Sequence, residues 1–220
     1  MNRFVLLMVA LLVSPAGAKP LDHLVPTTGI AEYEKTLADE FRDVFTSDVR
    51  LRVVVEPSFH EEYAVAVKQS ASGYRILYVQ ATDYIWGALM TKPNNDPAPR
   101  PLLNKKLDNP IPVRECESDV PAGTAKRLEL IWAEMLRKAR PDDSGVVVMD
   151  GTNYNFSSEV DGEIEMAEAT SPDEDTKPGA LIAIAHTMRE LCTTKSKALL
   201  DMLDEQTARL QNRLKQEEVK

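Results

Sequence analysis

Two cysteines, three histidines and a dense run of acids are the residues of this chain whose types and spacing could do chemistry. Cys116 and Cys192 stand 76 residues apart, neither in a C-x-x-C pair and neither with histidine at ligand spacing. An even pair of this kind in an exported chain predicts one disulfide. Closing so long a loop removes on the order of 4 kcal/mol of unfolded-state freedom in the chain-entropy account. His60-Glu61-Glu62-Tyr63-Ala64 begins like the zinc motif H-E-x-x-H. Ala64 stands where the second ligand must lie one helical turn later, so the pattern fails. His186 falls on the flank of an apolar helical stripe, where a boundary role outweighs that of a base, and His23 precedes the first helix. The serine elbow G-x-S-x-G, the P-loop and the dinucleotide glycine pattern do not occur. An EF-hand register starting at Asp173 puts Pro178 where glycine is required and Ile184 where the bidentate glutamate is required. These patterns give no catalytic residue, no metal ligand and no cofactor. Two carboxylates across a cleft would suffice for glycoside cleavage, but among so many acids no pair stands out. Asp83 beside Tyr84 and Trp86 reads as a sugar-binding corner or, more simply, a strand end.

The unusual surface is electrostatic. From Pro141 to Thr176 there are 11 acids and no lysine or arginine, while the formal net charge of the whole chain is −9. A one-sign field raises encounter rates and selects partners of opposite sign. Glu159, Asp161, Glu163 and Glu165 are therefore the expected docking residues for a basic protein; a charged face kept only for solubility is the plainer alternative. The same acidity argues against nucleic acid, which needs a cationic footprint.

At the start of the chain, Met1-Asn2-Arg3 is followed by an unbroken apolar run from Phe4 to Val13, then Pro15 and the small-x-small triplet Ala16-Gly17-Ala18. Those are the parts of a secretory signal in order, predicting cleavage after residue 18. Ten apolar residues reach only about 15 Å as a helix, half of a bilayer core of roughly 30 Å. The expectation is a protein of the periplasm or the extracellular medium, with no stable membrane anchor after cleavage. Asn155-Phe156-Ser157 matches a glycosylation sequon but falls in an expected strand.

The elements that must position these residues follow from periodicity. Ile30, Tyr33, Leu37, Phe41, Val44 and Phe45 predict an amphipathic helix near 28–46, with Thr28 as its cap. Arg50–Glu56 is a β-branched run ended by Pro57, and 61–68 with 74–81 form a hairpin across Gln69–Gly73. Tyr63, Val65 and Val67 alternate on one side, as do Tyr74, Ile76 and Tyr78, and the aromatics Phe59, Tyr63, Tyr74, Tyr78, Tyr84 and Trp86 are read as core. Six prolines between Pro93 and Pro112 mark a long irregular loop. A helix follows from Pro121 to about Arg140 on Leu128, Ile131, Trp132, Met135 and Leu136.

Residues 145–169 predict a three-strand meander of 146–149, 152–159 and 163–169. A three-residue second loop pairs Phe156 with Met166 and Ser158 with Ile164, sending Asn155, Ser157, Glu159, Glu163 and Glu165 outward. A two-residue loop pairs Phe156 with Ala167 and mixes Val160 with Glu163, so the first register is preferred on face purity. Two helices close the chain, one at 179–193 with Cys192 inward and one at about 195–218 with Leu200, Leu203, Leu210 and Leu214 on a seam interrupted by Thr207. With 43% apolar and 28% charged residues, the expected fold is α+β: an antiparallel β-hairpin and three-strand meander packed by amphipathic helices, with a long C-terminal helix. The organisation is a signal peptide at 1–18, one domain at 19–194, and a C-terminal helix at 195–220 that frays or docks. A non-enzymatic binding or inhibitor-type protein comes first as function. A carboxylate-dependent hydrolase of the cell envelope and an envelope structural or assembly factor are the alternatives.

Overall fold

A computed structural model describes residues 20–27, 31–91, 100–101, 107, 109–142 and 150–217. The export signal, the Thr28 cap, the strand expected at 146–149 and most of the proline-rich segment lie outside the described residues. The elements run β1 (Val25–Pro26), α1 (Ala31–Glu40), a 3-10 turn (Arg42–Val44), β2 (Val49–Pro57), β3 (Tyr63–Ser70), β4 (Gly73–Ala81), α2 (Ile85–Leu89), β5 (Met90–Thr91), β6 (Arg100–Pro101), β7 (Val113–Val120), α3 (Ala122–Arg137), β8 (Thr152–Val160), β9 (Glu163–Thr170), α4 (Lys177–Thr194) and α5 (Lys197–Glu217). The fold is α+β. Seven antiparallel strands form one sheet in the order β1-β9-β8-β2-β3-β4-β7, and β5 pairs with β6 separately.

Both faces of the sheet are covered, and the strand sequences say why. Tyr63, Val65 and Val67 of β3 point to one face, where they meet Leu51, Val53, Ile76, Phe156 and the inner sides of α3 and α4. Ala64 and Ala66 point to the other, where their small side chains let Tyr33 and Leu37 of α1, Phe41 just after it, and Ile85 and Leu89 of α2 pack over Val54, Leu77 and Val79. A strand buried on both faces reads as a continuous apolar run, which is what Tyr63–Val67 is. Trp132 fills the centre of the α3 side against Phe156, ring centroids 5.8 Å apart, and donates its indole N–H to the Arg52 carbonyl at 3.3 Å.

Cys192, on the inward side of α4, is joined to Cys116 of β7, Cα atoms 5.8 Å apart. The link ties α4 to the outer strand β7. At the start of α4, the Thr176 hydroxyl accepts the Gly179 N–H at 3.1 Å, and a Cβ at Gly179 would sit 2.1 Å from the Asp173 carbonyl oxygen. Helix α5 lays Leu203, Leu210 and Leu214 into the core, with Leu200 half-buried beside them. Thr207 is fully buried and donates to the Asp204 carbonyl, so it completes the seam rather than breaking it. The Arg127–Asp204 ion pair at 2.7 Å fixes α5 to α3. The leucine seam that an assembly role would present thus faces inward.

The expected register of the second meander turn is corrected. Phe156 pairs with Ala167 and Val160 with Glu163, across the two-residue turn Asp161-Gly162. Both turn residues have positive φ, 53° and 89°, the conformation in which a two-residue turn matches the strand twist and for which Asp-Gly is well suited. Turn chemistry outweighed face purity, and Ala167 and Ala169 leave room beneath α3 where Met166 would not. Ile164 and Met166 consequently stand on the opposite face, 61% and 42% exposed. Besides the two-residue strands β1, β5 and β6, two elements had no sequence expectation: β7, whose outward residues are mostly charged, and the single-turn helix α2.

Candidate functional site: an acid and amide cluster at one end of the sheet

The expected docking residues do not share a face. Glu163 and Glu165 pair with Val160 and Ser158 and point to the α3 side; Glu159 pairs with Ile164 and points to the other. Cations from elsewhere in the chain also reach this corner. Arg137 donates to Asp161 at 3.2 Å, and Arg50 lies 3.8 Å from Glu159. The acidic run is one-signed in sequence but partly neutralised in space.

A different group of acids gathers where β2 ends and β3 begins. Glu62 is fully buried. Its carboxyl accepts the Tyr33 hydroxyl at 2.7 Å and the backbone N–H groups of Ile85 and Trp86, each at 2.8 Å. One side chain thereby fixes α1 and the start of α2 to the sheet, answering donors that the first turn of a helix leaves free. Burial and the Glu62 and Glu56 charges hold the Tyr33 phenol far above its ordinary range. Tyr33 also meets Trp86 edge-on, centroids 5.0 Å apart. Ser58 and Gly151 exchange hydrogen bonds, and Tyr84 donates to the Ser58 carbonyl at 2.6 Å, so the β2–β3 turn is pinned to the start of β8.

Glu56 lies on the same face of the sheet as Glu62. It is half-buried and accepts the Asn155 amide at 2.6 Å. Burial, aided by the neighbouring carboxylates Glu34, Glu62 and Glu168, pushes its pKa up to about 8, against the pull of the Asn155 hydrogen bond. No lysine or arginine forms an ion pair with Glu56 among the described residues. Asn153 extends the network, donating to Glu168 at 3.4 Å and accepting from Thr170 at 3.2 Å. Register explains the convergence: Glu56, Asn153 and Thr170 form one lateral row, and Asn155 and Glu168 the next. A carboxyl that keeps its proton to about pH 8 beside amides and further carboxyls can donate a proton or hydrogen bond, or take up a cation and release the proton.

The residues singled out by motif fall elsewhere. His60 is exposed in the β2–β3 turn, and His186 is exposed on α4 with its ring 6.3 Å from Tyr154. Asp83 is exposed and accepts the Tyr84 N–H at 2.8 Å, a local cap at the strand end. Of the aromatics read as core, Tyr63 and Tyr78 are buried, whereas Phe59 is 72% exposed. No group of three or more His, Cys, Asp or Glu among the described residues could hold a metal ion. Glu62, Glu56 and Asn155 were missed. The available signal was the second face of β3: Ala64 and Ala66 imply a covering helix, and a covered face makes Glu62 and Glu56 buried acids. Comparison with protein-family models, curated proteins and solved structures finds no match to this chain.

Proposed function

We propose that the protein is exported with loss of residues 1–18, acts in the periplasm or extracellular medium, and is a non-enzymatic binding or inhibitor-type protein for a basic partner. The paired cysteines, and the finding that no described helix is long and apolar enough to cross a membrane, are compatible with that location. The observation that carries the binding role is Glu56, half-buried among carboxyls with no ion-paired cation among the described residues. A lysine or arginine of the partner placed there supplies the missing charge and displaces the proton. Glu159, Asp161, Glu163 and Glu165, at the far, hairpin end of β8 and β9, contribute to the long-range field that steers a basic partner.

The test uses the mature protein, Glu56→Gln, and the triple variant Glu159→Lys, Glu163→Lys, Glu165→Lys as baits in extract of its own envelope. A basic partner retained by the wild type, lost by Glu56→Gln and recruited more slowly by the triple variant supports the reading. Equal capture by all three overturns it. The protonated Glu56 also favours a second reading, a carboxylate-dependent hydrolase of the envelope with Glu56 as general acid. Release of soluble sugar from purified envelope polysaccharide, abolished in Glu56→Gln, would select that reading over the first.

A further inference from the structure

The face of the sheet under α4 carries a second polar cluster, of opposite charge. Tyr154, Tyr63, Gln80 and Arg114 lie in one lateral row across β8, β3, β4 and β7, connected through Val55 of β2. Tyr78 is in the next row on the same face and donates its hydroxyl to Gln80 Oε1 at 2.7 Å, leaving the Gln80 amide N–H groups as donors. From above, α4 contributes Arg189. Its guanidinium carbon is 5.2 Å from the Tyr63 ring centroid and 5.9 Å from that of Tyr78, and those two rings meet edge-on. His186, one turn earlier on α4, stands beside Tyr154. Arg189 is half-buried, and among the described residues no carboxylate ion-pairs with it or with Arg114. This is informative in a chain with 35 acids, where Arg50, Arg75, Arg127, Arg137 and Arg209 each meet one.

We propose that Arg189, Arg114, His186, Gln80 and the hydroxyls of Tyr63 and Tyr154 form a binding site for an oxyanion group, the carboxylate or phosphate of a small ligand. A half-buried cation without a counter-charge is costly, and an incoming anion removes that cost. Stacking over Tyr63 and Tyr78 occupies the guanidinium face and fixes its plane, while the rim of N–H groups suits two oxygens of one ligand. Phenol, imidazole and amide donors complete the shell. The acid that acts on His186 is Glu190, exposed and one turn further along α4. The site is independent of the acid and amide cluster, which lies on the other face.

The test follows the ring signals of Tyr63, Tyr78, Tyr154 and His186 by NMR in the mature, oxidised protein. Inorganic phosphate and acetate are titrated separately at constant ionic strength. Saturable shifts of these rings are expected with at least one anion. Arg189→Met should weaken binding by about tenfold or more, where tenfold corresponds to about 1.4 kcal/mol. Arg114→Met and His186→Ala should weaken it less, and Arg209→Met, on the exposed side of α5, should leave it unchanged. If Arg189→Met does not fold, Arg114→Met and His186→Ala, both at exposed positions, carry the test. Saturation by phosphate alone assigns a phosphoryl ligand, and by acetate alone a carboxylate. Shifts that never saturate with either anion, or affinities equal in wild type and in the arginine and histidine variants, overturn the proposal.

Discussion

Replacing Glu56 with glutamine should stabilise the protein, and by an amount that grows with pH. An unfolded carboxyl of this kind loses its proton near 4.5, whereas Glu56 in the native chain holds it to about 8. Between those values the native state binds more protons than the unfolded state, so stability falls as pH rises across the window. At about 1.36 kcal/mol for each tenfold change in proton affinity, the full difference is at most about 5 kcal/mol, reached above about pH 8. Glutamine keeps the shape and can still accept the Asn155 amide, but it has no charge to bury. Urea unfolding of wild type and Glu56→Gln should therefore nearly coincide near pH 4 and separate by about 3 kcal/mol near pH 7, with the variant the more stable. A difference that stays constant from pH 5 to 9 would refute the reasoning, because the slope requires a carboxyl that ionises in the unfolded chain while it keeps its proton in the folded one.

Tyr33→Phe removes one donor from the buried Glu62 and should cost about 1–3 kcal/mol in urea midpoint at unchanged m-value; no loss would mean that water replaces the hydroxyl. The unreduced protein should show no alkylatable thiol. Cys192→Ala should destabilise more than Cys116→Ala, since both lose the cross-link but only Cys192 is fully packed in the core. Gly179→Ala should lower the thermal midpoint, with overpacking against the Asp173 carbonyl costing about 1–3 kcal/mol or more. Gly123→Ala in α3, where a Cβ meets nothing within 4 Å, should raise it slightly.

The elements that were legible are those whose apolar residues recur at one period over a long span. Helices α3, α4 and α5 follow from stripes such as Leu128-Ile131-Trp132-Met135, and the β3–β4 hairpin from alternation on both strands. Alternation was also where the reading fell short. The alternation marks Tyr63, Val65 and Val67 as one side of the strand and leaves out Ala64 and Ala66, whose small side chains line a second covered face. That single omission hid the acid cluster, because Glu56 and Glu62 look like ordinary surface acids until α1 and α2 are placed above them. The β8–β9 register failed for a different reason. Two registers compete there, and the Asp-Gly turn, which requires two successive positive φ values, decided against the one that looked cleaner by polarity. Charge runs were legible only as sequence: nothing local predicts that Arg50 and Arg137 return to the corner of Glu159 and Asp161.

Both polar clusters sit at the same end of the sheet, and strand geometry makes that more than coincidence. Successive residues of a strand point to opposite faces. Glu62 and Tyr63 are neighbours in the chain, so one serves the acid cluster and the other the cationic one. Asn153 and Asn155 of β8 reach the acids, and Tyr154 between them reaches His186. On the α3 and α4 face the row of Val53, Val65 and Phe156 is apolar and fills the core; on the other face Val54, Ala64 and Val79 are apolar, but their row continues into Asn155 and Glu168 of the acid cluster. A change that moved the backbone at Glu62-Tyr63 would disturb both clusters together, and a functional loss there could not be assigned to either. Glu56→Gln and Arg114→Met avoid this ambiguity. The first keeps size and hydrogen bonding and removes only a charge, and the second acts at an exposed position on the outer strand. If the two clusters work independently, the first variant should leave anion binding intact and the second should leave partner capture intact.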